Sequence, residues 1–167
     1  GLIIATGAKK NGVGIEGLQH HIPPHNPDAE RALLASMLLE EESAARAFEN
    51  VRSDFFADRR HRVIFDGVRE MFEKNRKCDI VTLVNLLNEQ HLIEQAGGIE
   101  YLTNIFDFVP TAAHCEEYIK IVRDKYLLRS LISSATTIVA EAYQGGEEVE
   151  TILDRAESSI FGISQHL

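Results

Sequence analysis

Tryptophan is missing from this chain, and cysteine occurs only twice, at Cys78 and Cys115. Two thiols so far apart, with neither a metal-type spacing nor a secretory leader, speak against a disulfide scaffold or zinc ribbon and suit a reducing cytoplasm. Basic residues are scarce too: 17 Lys and Arg face 26 Asp and Glu, for a formal net charge of −9. So acidic a chain is not built to clamp nucleic acid over its whole surface, because phosphate binding needs clustered cations. A local basic patch stays open. No apolar run approaches the roughly 20 residues of a membrane span, and Leu2-Ile3-Ile4-Ala5 is far too short. Alternation of apolar and polar residues, the mark of a half-buried strand, is nowhere sustained. The phosphate loop G-x-x-x-x-G-K-[ST] is also absent. Gly7-Ala8-Lys9-Lys10 has no glycine at the upstream offset and no hydroxyl after the lysine, so no ATPase site is expected in this chain.

What the sequence does hold is helical periodicity. From Thr111 to Ser164 it reads as two unequal helices folded back at Gln144-Gly145-Gly146. One stripe runs through Ile121, Leu128, Ile132, Ala135, Val139 and Ala142, broken only by Lys125; a second runs through Ile119, Val122, Tyr126, Leu131 and Ile138. The apolar arc is wider than a single partner covers. The returning helix, after Glu147, Glu148 and Glu150 at its dipole-favoured start, offers Val149, Ile152 or Leu153, Ala156, Ile160 and Ile163. At about 1.5 Å rise per residue the first arm is about 45 Å long and the second about 25 Å. The hairpin is therefore expected to leave part of its longer arm for the preceding domain, another copy of the chain, or both.

Before the hairpin, Asn26 is placed to cap a helix with Pro27 in its first position and Asp28 and Glu30 at its positive end. Leu33, Leu34, Met37 and Leu38 give it an apolar face. A short helix with Ala44, Ala47, Phe48 and Val51 follows, and Phe55-Phe56 reads as a core plug in the next connection. Asp58 caps a third helix whose inward face is His61, Ile64, Phe65, Val68, Met71 and Phe72; Asp79 caps a fourth with Ile80, Leu83, Val84 and Leu87. Gly97-Gly98 restarts the chain into Ile99, Leu102, Ile105 and Phe106, Pro110 closes the unit, and Thr111 is placed to cap the long helix. The fold class is all-α: a compact bundle of five to six short helices over residues 23–110, then a projecting antiparallel hairpin over 111–164. Residues 1–22, rich in Gly and without a period, read as a flexible arm or cloning remnant.

Several local motifs carry less than they offer. Gly12-Val13-Gly14-Ile15-Glu16-Gly17 satisfies G-x-G-x-x-G, but His20-His21-Ile22-Pro23-Pro24 follows where a helix should, so it reads as a chance match. His20, His21 and His25 lack Cys or acidic companions at ligand spacing, which leaves a metalloenzyme as the weakest of three functional readings. His61 lies on an apolar stripe, where a hydrogen-bonded structural histidine is expected. Cys115 and His114 are neighbours on one helix and point about 100° apart, which argues against a nucleophile pair and for buried filler. Arg59, Arg60 and Arg62, with Lys74, Arg76 and Lys77, either contact nucleic acid or form a solvated face.

One ordered series of short pieces is more specific. Pro23-Pro24 before Asp28-Ala29-Glu30 and Leu33-Leu34, His61 before Ile64-Phe65, Asp79-Ile80-Val81-Thr82-Leu83, Gly97-Gly98-Ile99-Glu100-Tyr101-Leu102, Val109-Pro110-Thr111-Ala112-Ala113, Tyr118-Ile119 and Leu127-Leu128-Arg129-Ser130-Leu131 follow one another. In this order they resemble the amino-terminal domain of bacterial replicative DNA helicases of the DnaB family, over about residues 23–164. The resemblance implies a hexameric helicase in the cytoplasm, driven by ATP with Mg. Its linker helix and RecA-like motor domain, absent here, make most of the DNA contact. For this chain it implies no chemistry and no cofactor. The role implied is a collar that self-assembles, from dimer building blocks, through heads and hairpins and receives primase and, in some species, a loader.

Leu128, Ile132, Ala135, Ile138 and Val139 are the candidates for contact between hairpins or with a partner; the alternative is plain intramolecular core. Tyr101 is a candidate primase contact, as an aromatic ring with a polar tip, or else it is buried in the bundle. Asp28 either touches primase or complements the helix dipole. A helical nucleic-acid-binding module using the two cation clusters is the competing function, and it predicts binding that falls steeply with salt.

Overall fold

Side-chain caps fix where three of the seven α-helices start. In the computed structural model, which describes residues 21–108 and 114–167, Asn26 Oδ1 accepts from the Ala29 amide at 3.0 Å and opens α1 (Pro27–Leu39). Helix α2 (Glu41–Asn50) and a 3₁₀ turn (Ser53–Phe55) follow. Asp58 accepts from the Arg60 amide at 2.9 Å to start α3 (Arg59–Glu73). A reciprocal capping box starts α4 (Ile80–Glu89): Thr82 N donates to Asp79 Oδ1 at 2.9 Å and Asp79 N to Thr82 Oγ1 at 3.2 Å. Such caps satisfy amides the helix itself leaves open and are worth about 1 kcal/mol each. Gly97, at φ +99°, turns the chain into α5 (Gly98–Asp107). Helices α6 (Cys115–Gln144) and α7 (Val149–Ser164) complete an all-α fold with no strand among the described residues.

Helix α1 is the axis of the head. Its Leu33 and Leu34 are fully buried, and it packs against α2, α3, α5 and α6. Phe55 and Phe56 fill the centre as the sequence predicts, and Phe48 meets Phe65 and Phe72 with ring centroids 5.4 and 5.1 Å apart. Each fully buried side chain of this size contributes about 1.5–3 kcal/mol.

The long helix belongs to two environments. Its first turns are part of the head: Cys115, Ile119 and Val122 are buried, Tyr126 stacks on Phe55 at 4.3 Å, and Arg129 donates to the carbonyls of Pro24 and Phe55 at 2.9 and 2.7 Å. Beyond Arg129 only α7 lies against it. Gly145 and Gly146, at φ +62° and +86°, make the reversal that an L side chain resists. The two arms are tied by a Ser159–Ser134 hydroxyl bond of 2.7 Å and by Arg155, 3.5 Å from Glu141 and 3.1 Å from Glu147.

The part of the long arm that the shorter one leaves uncovered is taken by the preceding domain, one of the covers the arm lengths called for. The shorter arm reaches back to the head, where His166 stands edge-on to Phe55 and Tyr126 at 6.0 and 6.1 Å, and the head covers what lies below. No part of α6 therefore extends past a neighbour. The rest of the hairpin stays exposed, as the wide apolar arc of α6 predicts: two helices side by side bury one face each and leave the others to solvent. Residues 1–20, with most of the expected arm, its glycine motif and His20, lie outside the described residues, as does Thr111, the expected cap of α6, which is preceded instead by His114 without a side-chain cap.

Candidate assembly surface

Along α6 and α7 the apolar residues are too many for one contact. Leu128, Leu131, Ile132 and Val139 keep 45, 43, 50 and 43% of their surface, and no residue of α7 is buried. Ala135 is exposed as well, while Ile138 is half-covered between the arms. Four of the five hairpin candidates, Leu128, Ile132, Ala135 and Val139, are thus exposed on α6, and Ile138 is partly covered. Leu127, Leu128 and Leu131 from α6 with Ile160, Ile163 and Leu167 from the returning arm line an open apolar groove of about 420 Å³. Val149, Leu153 and Phe161 extend the apolar surface on α7, at 66, 56 and 64% exposure.

On the head, the structure brings together residues that the sequence kept apart. Glu30 is 2% exposed and His61 is fully buried. The Glu30 carboxylate accepts from the Ala57 and Asp58 amides at 2.9 and 3.3 Å and lies 2.8 Å from His61 Nδ1, whose N–H donates to it. His61 Nε2 lies 2.6 Å from the Tyr101 hydroxyl, which donates to it in turn. His61 is thus the structural histidine its apolar stripe predicts, and it joins α1, α3 and α5. Tyr101 is only half-buried: its hydroxyl is committed inward while Arg60 covers the ring at 3.9 Å. Burial holds the Tyr101 phenol above its ordinary range, opposed by the Arg60 charge. The Arg60 side chain in turn holds Asp58 below the usual carboxylate range. Asp28 is exposed at the start of α1 and pairs with Arg31.

The two cation clusters do not form one patch. They sit at opposite ends of the 15-residue α3, about 22 Å apart. Arg60 pairs with Asp58 and Lys74 with Glu70, each at 2.7 Å, and Arg62 donates through Nε to the Phe56 carbonyl. Among the described residues no group of three or more His, Cys, Asp or Glu is arranged to hold a metal. Burial pushes the Cys78 thiol up to about 11 and raises that of Cys115, whose Sγ–H faces the Ser43 carbonyl at 3.8 Å, so neither is activated as a thiolate. No helix of the described residues is long and apolar enough to cross a membrane.

Glu30 and Arg129 escaped the reading from sequence alone. A signal existed for each. Glu30 stands in register with Leu33, Leu34 and Met37, and Arg129 stands in register with Val122 and Tyr126, each a charge on an apolar stripe.

Comparison with known proteins agrees with this architecture. The family model described as DnaB-like helicase N terminal domain matches residues 22–124. The replicative DNA helicase DnaC of Bacillus subtilis is 38% identical over 148 residues, which is 89% of this chain and 33% of that protein. The replicative DNA helicase DnaB of Geobacillus stearothermophilus is 33% identical over 150 residues, again with 33% of its length covered. The chain therefore spans about a third of the curated relatives it matches. Among solved structures, the N-terminal domain of DnaB helicase from Mycobacterium tuberculosis superposes with a TM-score of 0.79 at 32% identity, covering 85% of this chain and 99% of that one. A DnaB-like replicative helicase described with its interactions with primase shares the fold at TM-score 0.67 and 22% identity, over 83% of this chain and 31% of that one. With a family model matched over more than half its length and a near-complete counterpart among solved domains, the chain belongs to the DnaB-like helicase N-terminal domain family.

Proposed function

We propose that this chain forms the collar of a hexameric replicative helicase, assembling from paired copies through its hairpin and receiving primase, with a loader as a further partner. The observation that supports this reading is the solvent-facing apolar surface of α6 and α7, from Leu128 to Val139 and around the groove closed by Ile160 and Leu167. Covering the half of each such side chain that remains exposed would stabilise a contact by about 1 kcal/mol per residue. In a paired hairpin Leu128, Ile132, Ala135 and Val139 face the second copy, with Ile138 packing between the arms. Tyr101 and Asp28 lie on the head as the candidate primase contacts; the Tyr101 hydroxyl serves His61 and Arg60 covers its ring, so the Arg60–Tyr101 pair is what the head offers there. ATP with Mg, and most of the contact with DNA, belong in this proposal to the part of the longer relatives that this chain does not span, and the assembly works in the cytoplasm. No cofactor is assigned to this chain in the proposal.

The test is the mass of the assembly by light scattering, with and without the carboxy-terminal segment of a cognate primase. Defined oligomers that gain mass on adding the segment, and lose that gain in Tyr101→Ala, are expected. Unchanged mass with the segment at saturating concentration would remove primase from the proposal.

A further inference from the structure

At the junction of head and hairpin lies a second, smaller cleft of about 300 Å³, lined by Ile22, Pro23, His25, Ala57, Arg62 and Arg129. Two guanidinium groups are held there by carbonyls alone: Arg129 by Pro24 and Phe55, Arg62 through Nε by Phe56 at 2.7 Å. Among the described residues neither forms an ion pair with a carboxylate. His25 is held at the rim by its Nδ1–H, which donates to the Pro23 carbonyl at 2.9 Å. Desolvation lowers the Arg129 pKa; the charge of Glu30, which accepts from the Ala57 amide beside the cleft, opposes this, and the like charge of Arg62 adds to the lowering. Carbonyl bonds fix both forks in place, so a bound oxyanion would find its donors already oriented.

We propose that this cleft binds a single carboxylate, an Asp or Glu side chain of a protein partner, between Arg62 and Arg129 with His25 at the rim. Size and surroundings favour that occupant over nucleic acid. Among the described residues the cleft is lined by two guanidinium groups and one imidazole, a set sized for one oxyanion, whereas a phosphodiester strand is held by many contacts in a row. Ile22, 78% exposed, and Pro23 beside it offer apolar surface for the residues flanking an acidic side chain. The overall charge of −9 repels a polyanion while leaving one local carboxylate unhindered.

The test uses the chain as described and two probes, a short peptide with one Glu between leucines and its Gln counterpart, with a single-stranded oligonucleotide as a third arm. The reporter is the Arg62 Nε–H resonance in nitrogen-labelled protein, kept visible by its carbonyl bond. The Glu peptide shifts it saturably at millimolar concentration, the Gln peptide does not, and Arg62→Gln weakens binding by about tenfold or more. His25→Gln, a rim change that leaves the carbonyl-bound forks untouched, reduces affinity less and serves if Arg62→Gln loses its helical signal. Equal shifts with both peptides, no shift at all, or undiminished affinity in both variants would overturn the proposal. A tighter, salt-sensitive response to the oligonucleotide would overturn it in favour of a phosphate site.

Discussion

Replacing Glu30 by alanine removes the only acceptor that the Ala57 amide, the Asp58 amide and His61 Nδ1 share, at 2.9, 3.3 and 2.8 Å. The site is almost sealed from water, so the orphaned donors cannot be rehydrated without opening the head. Leaving a buried charged hydrogen-bond set unpartnered costs about 3–5 kcal/mol, a large share of the roughly 5–15 kcal/mol that holds a domain together. Tyr101→Phe, at the other end of the relay, deletes only the hydroxyl that bonds His61 Nε2 and costs about 1–2 kcal/mol. Both changes act on one imidazole, so the double variant should depart from additivity by about 0.5 kcal/mol or more. Urea denaturation of the two single variants and the double, followed by circular dichroism, gives the cycle directly. A loss below about 1 kcal/mol for Glu30→Ala, or strict additivity, would show that the three residues do not act as a unit.

Three further outcomes follow from the geometry. Because Asp58 is held below its ordinary range by Arg60, its contribution to stability is complete above about pH 4 and disappears as the pH falls through the depressed value. Arg60→Gln should flatten that acid limb, by less than about 1 kcal/mol because the pair is partly solvated, in urea midpoints measured from neutral to acid pH. At Gly97 a side chain meets both a left-handed backbone at φ +99° and the Tyr101 ring, with Cδ2 2.7 Å from the new Cβ. Gly97→Ala should cost about 1–3 kcal/mol in denaturant and shift the fluorescence of Tyr101, and a neutral result would contradict the packing described. Filter binding to single-stranded DNA should stay weak at low salt, since the α3 cations are split and partly paired; tight binding with a steep salt slope would reinstate the nucleic-acid reading.

Much of the architecture was legible because local chemistry and fold agree. Asn26-Pro27, Asp58 and Asp79 with Thr82 announce helix starts, and Gly145-Gly146 announces the reversal, through caps and dihedrals that need no tertiary information. The spacing of His61 among Ile64, Phe65 and Val68 foretold its burial. Its partners were hidden, since Glu30 lies 31 residues away and Tyr101 lies 40 away, and an acid in the first turn of a helix ordinarily faces solvent to meet the dipole. Arg129 was hidden likewise: carbonyl acceptors at Pro24 and Phe55 leave no sequence mark. The hairpin's exposed surface was foreseen from its wide apolar arc, and so was the share of the long arm left to the preceding domain; the contact of the chain's end with the head was not. The contact of His166 with Phe55 and Tyr126 shows that this end returns to the head.

Sedimentation equilibrium of the chain over a range of micromolar concentrations, beside Ile132→Asp, addresses the collar reading most directly. Ile132 is half exposed on α6, so a charge there should leave the helical signal intact while burying it against a second copy would cost several kcal/mol, on the order of a hundredfold or more in association. Concentration-dependent oligomers that collapse to monomer in Ile132→Asp are the predicted result. A wild-type chain that stays monomeric throughout, or an Ile132→Asp chain that assembles equally well, would contradict it.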